Sequence, residues 1–297
     1  MANSPLKTVE WLVKNLAKNP DSDKLVILDA SWHLPDSGRN ALDEYREAHI
    51  PGARFFDIDK VVDPLSDQPH TLPKARDFAA AVKLLGISNG SKIVVYDNSD
   101  FRTAARAWWM FRAMGHKNVY VLDGGFQLWQ AKKMRTQRGG FKVDKSIYYA
   151  EYNDALYLTK EDILANIDLS IKDKSKWQIV DARAEGRYLG TAPEPRAGLR
   201  SGHIPGALNL PFNELYDDDG TLLDNEALFE RIEAAGINPD RPIGTSCGSG
   251  VTACSLALAF AKLGKWDTPI YDGSWSEWGA DDSLPIEPTP NAEEPTI

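Results

Sequence analysis

The residues best suited to chemistry surround one cysteine, Cys247, within residues 245–253 (TSCGSGVTA). Strand-like residues precede this run and apolar residues at helical spacing follow it, which predicts a tight turn between a strand and a helix. Glycines one and three residues after the cysteine let the backbone curl, so that several amides can face the sulfur. The positive end of the helix also favours thiolate over thiol. Cys247 is therefore predicted to be a nucleophile that solvent can reach, the alternative being a buried structural cysteine.

Length and charge narrow the classes of protein. The chain has 297 residues, enough for two ordinary domains that each bury a core, and a net charge of -9 without a basic block. Nucleic-acid binding needs clustered Lys and Arg, so the composition argues against that class. No apolar run approaches the length of a membrane span. The opening residues, with Thr8 as the predicted N-cap, are typical of an amphipathic helix of the fold and not of a signal peptide.

The two cysteines, Cys247 and Cys254, are predicted to stay reduced. If a helix begins near Val251, their Cα atoms lie roughly 10 Å apart, which is too far for a disulfide. Reduced cysteines indicate a cytoplasmic location, or a mitochondrial one in a eukaryote. The histidines are isolated and no Cys-x-x-Cys occurs, so the sequence predicts neither a metal site nor a cofactor.

The sequence contains an internal repeat of two copies, in which corresponding residues lie about 150 positions apart. Residues 27–30 (ILDA) match 179–182 (IVDA), and His-Ile-Pro-Gly-Ala occurs at both 49–53 and 203–207. Within each copy, short β-branched segments alternate with helical ones, which predicts an α/β fold with a mostly parallel sheet covered by helices on both faces. We expect domains over residues 1–137 and 158–297, a linker over 138–157, and an extended proline-rich end over 285–297. In such sheets the ligand crevice lies at the carboxyl ends of the strands, where the Cys247 turn falls.

Alignment of the two copies places Asn98 opposite Cys247, so the first copy has no thiol. The chain resembles the rhodanese-like sulfurtransferases over essentially its whole length, as a tandem of an inactive and an active domain. Its loop of residues 247–252 (CGSGVT) is similar to that of the 3-mercaptopyruvate sulfurtransferases in particular. Thiosulfate sulfurtransferases usually carry an Arg-Lys pair where this chain has Gly248 and Ser249. Thiosulfate is a dianion that would gain from two such cations, so the charge that meets a substrate here must come from elsewhere.

The resemblance implies sulfur transfer from 3-mercaptopyruvate to a thiol or cyanide, through a persulfide on Cys247. By resemblance the physiological acceptor is thioredoxin or a small thiol. The loop residues expected to bind substrate and to stabilise charge on sulfur are Gly248, Gly250, Val251 and Thr252.

Arginines near residue 190 are candidates for binding the keto acid, because a guanidinium grips a carboxylate in two places. Any one of them could equally be solvated, but by resemblance Arg187 and Arg196 hold the carboxylate and the keto oxygen. Arg183 is expected to make a structural contact near a strand end.

A proton relay is also implied by the resemblance. It consists of Ser249, His70 and Asp59, and it would draw on both copies. From composition alone, His70 would be a surface histidine.

Three other functions stay open. A thiosulfate sulfurtransferase would prefer thiosulfate over mercaptopyruvate. A non-catalytic binding module would show no added sulfur on Cys247 after exposure to a donor. A cysteine-based phosphatase of this fold needs an arginine six residues after the cysteine, and the presence of Ala253 at that position argues against this class.

Overall fold

A computed structural model of the protein describes residues 4–18, 25–140, 143–170 and 172–287. These residues form two five-stranded sheets. The first sheet contains β1 (Leu6–Lys7), β2 (Leu25–Asp29), β3 (Arg54–Phe55), β4 (Lys92–Tyr96) and β5 (Val119–Leu122). The second contains β6 (Tyr157–Leu158), β7 (Gln178–Asp181), β8 (Leu208–Asn209), β9 (Ile243–Ser246) and β10 (Ile270–Tyr271).

The helices alternate with the strands along the chain. Those of the first copy are α1 (Val9–Lys18), α2 (Ala41–Glu47), α3 (Ala75–Leu84), α4 (Ala104–Ala113) and α5 (Gly125–Ala131). Those of the second are α6 (Lys160–Asp168), α7 (Glu185–Tyr188), α8 (Asn225–Ala234), α9 (Ala253–Lys262) and α10 (Ser274–Trp278).

The two sheets have the same strand order, β1-β5-β4-β2-β3 and β6-β10-β9-β7-β8. All paired strands are parallel. This confirms the predicted α/β fold with two similar domains. The central strands β2 and β4 are each buried at four of their five positions, as expected for strands that are covered on both faces.

Two buried helices join the domains. α4 and α9 are buried along nearly their whole length and pack against each other. Their buried residues are mostly apolar, with Arg106 as an exception, and their contact is part of one core shared by both domains. Separate clusters cover the outer faces of the two sheets. Residues of α4 are thereby placed beside the loop that precedes α9.

The chain between the two sheets runs back along the first domain. The Ser146 amide donates to the Lys83 carbonyl (3.0 Å), and the Asn89 amide group pairs with the backbone of Tyr149. These contacts fit a linker, while the boundaries 1–137, 138–157 and 158–297 stay predictions. Most of the predicted extended end, residues 288–297, lies outside the described residues. In the described part of the chain, none of the helices combines the length and the apolar character needed to span a membrane.

Candidate active site

The cysteine loop connects β9 to α9, as the sequence predicted. The Ser274 hydroxyl holds this loop, accepting hydrogen bonds from the amides of Cys247 (3.1 Å) and Gly250 (3.2 Å). Gly250 has φ of +73°, and a Cβ there would lie 2.7 Å from the Asp272 carbonyl oxygen, so the turn requires glycine. The expectation that the Gly250 amide helps to cradle the sulfur is wrong, because this amide is already bound to Ser274.

Four other loop amides have no protein partner. Those of Gly248, Ser249, Val251 and Thr252 donate to no acceptor within the residues that the structure describes. Unpaired amides at the start of a helix favour negative charge, because each N–H carries a partial positive charge. This part of the loop can therefore stabilise charge that develops on sulfur.

In the matching loop of the first domain, the side chain of Asp97 binds backbone amides of the loop itself. The Asp97 carboxyl group accepts hydrogen bonds from the amides of Ser99 (3.0 Å) and Ala104 (2.6 Å). The Asn98 amide donates to the Ser31 hydroxyl (2.8 Å). Two amides of this turn are thus bound to a carboxyl group where the thiol is missing, whereas the Gly248 amide, which matches that of Ser99, is unpaired among the described residues.

Cys247 is more enclosed than the sequence analysis expected. Only 1% of the residue is exposed, so the prediction of a thiol that solvent can reach is wrong for this structure. The cause is that β9 is buried throughout and the cysteine continues it. Gly248 and Thr252 are half-buried, and the Arg187 side chain is 24% exposed, so this side of the loop is partly open to solvent. Cys254 is also a free, buried thiol.

Arg187 lies against the cysteine loop. A Cβ added to Gly248 would lie 2.9 Å from Nη2 of Arg187, so the absent side chain leaves room for the guanidinium. Glu194 orients this group by accepting hydrogen bonds from its Nε (3.2 Å) and Nη2 (2.6 Å). Arg183 in turn donates to Glu194 (2.8 Å) and is fully buried, which gives it the expected structural role.

Arg196 lies within electrostatic reach of the same loop. Burial lowers its pKa, Cys247 raises it, and the charge of Arg187 lowers it further. Within the described residues, no group accepts a hydrogen bond from Arg196. Because the half-buried Arg196 guanidinium has no such acceptor, its N–H groups can donate to the carboxylate of a substrate.

His70 lies between Ser249 and Asp59. Its Nδ1 is 3.2 Å from the Ser249 hydroxyl and its Nε2 is 3.0 Å from Asp59 Oδ1. Burial raises the pKa of Asp59, but its hydrogen bond to His70 and the contact with Trp32 outweigh this, so the pKa lies below its usual range. An ionised carboxylate only accepts, so Nε2 carries the hydrogen and Nδ1 of a neutral imidazole accepts from Ser249.

The sequence analysis missed Trp32, which completes this set. Its indole N–H donates to Asp59 Oδ2 (2.8 Å), and its ring meets the His70 ring edge-on at 5.1 Å between centroids. No spacing marks this residue, since it reaches the site only through the fold.

A different signal for His70 was present in the repeat. Thr-Leu follows both His70 and Gly220, and both residues have left-handed backbones, with φ of +60° and +81°. Glycine adopts this conformation freely, whereas histidine does so at a cost. A strained residue where the other copy uses glycine indicates that the side chain serves a purpose.

The rhodanese-like domain pattern matches residues 8–132 and 169–281. The chain belongs to the rhodanese-like family. A rat 3-mercaptopyruvate sulfurtransferase is 42% identical to this protein over 92% of this chain and 91% of its own length. A bovine thiosulfate sulfurtransferase is also 42% identical, over the same two fractions. Overall identity therefore does not choose between the two donors.

The structure of SseA from Escherichia coli, described as that of a 3-mercaptopyruvate sulfotransferase, superposes on this protein with a TM-score of 0.81. It is 36% identical and covers 93% of this chain and 100% of its own. Among the described residues, no group of three or more His, Cys, Asp and Glu side chains is arranged to hold a metal ion.

Proposed function

We propose that this protein is a 3-mercaptopyruvate sulfurtransferase that carries sulfur as a persulfide on Cys247. The observation that carries the proposal is the position of Arg187 against Gly248. The loop has no cation of its own at Gly248 and Ser249, and the planar guanidinium beside it suits a carboxylate. The rat and Escherichia coli relatives support the same donor by name.

The chemistry with mercaptopyruvate requires a proton transfer. The Cys247 thiolate attacks the sulfur of the substrate, an S–S bond forms, and the bond between sulfur and carbon 3 breaks. Its electron pair stays on carbon as the enolate of pyruvate, while the hydrogen of the substrate thiol must reach carbon 3. The products are a persulfide anion and pyruvate, so no external acid or base is consumed.

The relay residues suit this transfer. In our proposal the hydroxyl of Ser249 passes the proton between substrate and His70, and Asp59 stabilises the imidazolium while it exists. Arg187 and Arg196 bind the carboxylate and the keto oxygen, which also stabilises the enolate. The unpaired loop amides from Gly248 to Thr252 hold the charge on the persulfide.

Thiosulfate is the second candidate donor, because the bovine relative that carries its name is just as similar. Its reaction differs, since sulfite leaves as a stable anion and no proton moves. We further propose a thiol acceptor, such as thioredoxin or a small thiol, with cyanide as an assay substitute, in the cytoplasm or in mitochondria.

The test compares kcat/KM for the two donors with cyanide as acceptor. We expect mercaptopyruvate to be preferred, and mass spectrometry to find one added sulfur atom on Cys247 after exposure to it. Cys247→Ser should abolish transfer. A preference for thiosulfate would assign the protein to the sister group instead, and a protein that gains no sulfur from either donor would be a binding module.

A further inference from the structure

Arg106 links the relay to the cysteine loop from the opposite domain. It lies on α4 of the first domain and is fully buried. Its Nη1 donates to the Gly250 carbonyl (3.0 Å) and to Asp272 Oδ1 (2.5 Å), and its Nη2 donates to the His70 carbonyl. One guanidinium therefore binds the backbone of both segments that must meet at the relay.

The contacts of this guanidinium flank the relay closely in sequence. Gly250 follows Ser249 directly, and His70 is itself a relay residue. Asp272, the charge partner of Arg106, also accepts a hydrogen bond from the Leu72 amide (2.7 Å), two residues after His70. The left-handed backbone of His70 is thus fixed at its own carbonyl and at Leu72, and this fixes the direction of the imidazole.

The other copy shows which part of this arrangement the fold needs. There, Asp123 accepts a hydrogen bond from the Leu222 amide (2.8 Å), as Asp272 does from Leu72. The position that corresponds to Arg106 is Ser255. The contact between aspartate and amide therefore belongs to the duplicated fold. Of the two matching helix positions, only 106, which contacts the cysteine loop, carries an arginine.

We propose that Arg106 is a positioning residue for sulfur transfer from mercaptopyruvate, which holds His70 at hydrogen-bonding distance from Ser249. The proposal rests on the function proposed above. It gives the first domain a second task besides supplying His70 and Asp59. The effect should be confined to the donor that needs the relay, because the Gly250 amide is held independently by Ser274.

The test uses Arg106→Lys in the full chain. Lysine keeps the charge next to Asp272, but a single ammonium group lacks the planar fork that reaches all three acceptors. We expect kcat with mercaptopyruvate to fall by about 10- to 100-fold, the loss that follows a displacement of about 1 Å in an active site. Transfer from thiosulfate should stay within about twofold of the parent, because it needs no proton transfer.

Arg112→Lys is the matched control. Arg112 lies on the same helix, and its Nη2 donates across the domains to the Trp266 carbonyl (3.0 Å) without touching the relay. This variant should leave the ratio of the two donor rates unchanged. If Arg106→Lys does not fold, the double variant Arg106→Gln with Asp272→Asn removes both buried charges together and receives the same assays.

A double-mutant cycle with His70→Gly separates positioning from general loosening. In the His70→Gly background, Arg106→Lys should cause no further loss of kcat with mercaptopyruvate, since the imidazole that it positions is gone. An equal loss with both donors, or the same loss in this background, would overturn the inference and leave the proposed function intact. If His70→Gly itself does not slow mercaptopyruvate turnover, the relay and this inference both fail.

Discussion

Gly248 is predicted to select the donor by leaving room for Arg187, and Gly248→Ala tests this. The backbone of Gly248 lies outside the left-handed region, so alanine brings no backbone strain there. Its Cβ would lie 2.9 Å from Nη2 of Arg187, closer than the 3.4 Å at which ordinary contacts begin. The guanidinium must therefore retreat by at least about 0.5 Å, the difference between these distances.

The retreat is costly because Arg187 is held in place. Two hydrogen bonds fix it to Glu194, which Arg183 fixes in turn. A displaced fork loses at least one charge-assisted hydrogen bond to the substrate carboxylate, worth about 1.5–3 kcal/mol. We expect KM for mercaptopyruvate to rise by about 10- to 100-fold with a smaller change in kcat. The strain of this retreat lowers the free energy of unfolding, while alanine raises it by restricting the unfolded chain, so it should stay within about 1 kcal/mol of the parent.

The assay measures KM and kcat for both donors in four proteins: the parent, each single variant, and Gly248→Ala with Arg187→Ala. Once Arg187 is truncated, the added methyl group has nothing to displace, so Gly248→Ala should then be silent. An unchanged KM in the single variant would refute the steric reasoning. So would an equal loss in the background that lacks the guanidinium.

Two further predictions concern buried groups. Burial raises the pKa of Asp29 to about 6. A raised carboxyl pKa means that the folded state binds the proton more tightly, so this residue costs stability progressively as pH rises from about 4 to about 6, by about 3 kcal/mol. In urea denaturation, the free energy of unfolding of Asp29→Asn, relative to that of the parent, should rise by about this amount between pH 4 and pH 7. A difference between the two proteins that does not change with pH would contradict this. Burial also raises the pKa of Cys254, whose thiol donates to the Gly250 carbonyl, so Cys254→Ala should keep persulfide formation, measured by mass spectrometry, while losing about 1–2 kcal/mol of stability.

The sequence predicted the elements that carry a repeated, periodic pattern. The strands at the centre of each sheet and the helices α4 and α9 follow the alternation of short β-branched and helical segments that the sequence predicts. The two-residue strands β1, β3, β6 and β8 were not predicted, because a segment this short shows no periodicity. The repeat itself was the stronger guide, since two copies with the same motifs must share one strand order.

The site was predictable only where residues are close in sequence or match a family pattern. The turn around Cys247 follows from its glycines, and the positions of His70 and Asp59 came from resemblance. Trp32 and Arg106 were missed, because they meet the site through contacts between residues far apart in the chain. The burial of the thiol was also missed, since it depends on how the surrounding chain covers β9 and the cysteine that continues it.

The first domain, whose matching loop has no cysteine, allows a test of whether the loop, and not only the cysteine, makes the thiol reactive. Asn98→Cys in a Cys247→Ser background places a thiol at the matching position. Asn98 Nδ2 lies 3.1 Å from Glu44 Oε2, and the hydrogen bond from Arg39 lowers the pKa of Glu44, so the new thiol would face an ionised carboxylate. That neighbour disfavours thiolate.

Two of the loop amides that could compensate are already bound, since the Asp97 carboxyl group holds those of Ser99 and Ala104. We therefore expect Asn98→Cys to form no persulfide with either donor, and its alkylation by iodoacetamide to follow a thiol pKa above the ordinary value. Adding Asp97→Ser, the residue found at position 246, frees these amides and should lower that pKa. A reactive thiol without the second change would mean that the fold alone activates a cysteine at this turn. Reactivity that appears only with the second change would mean that unpaired amides do.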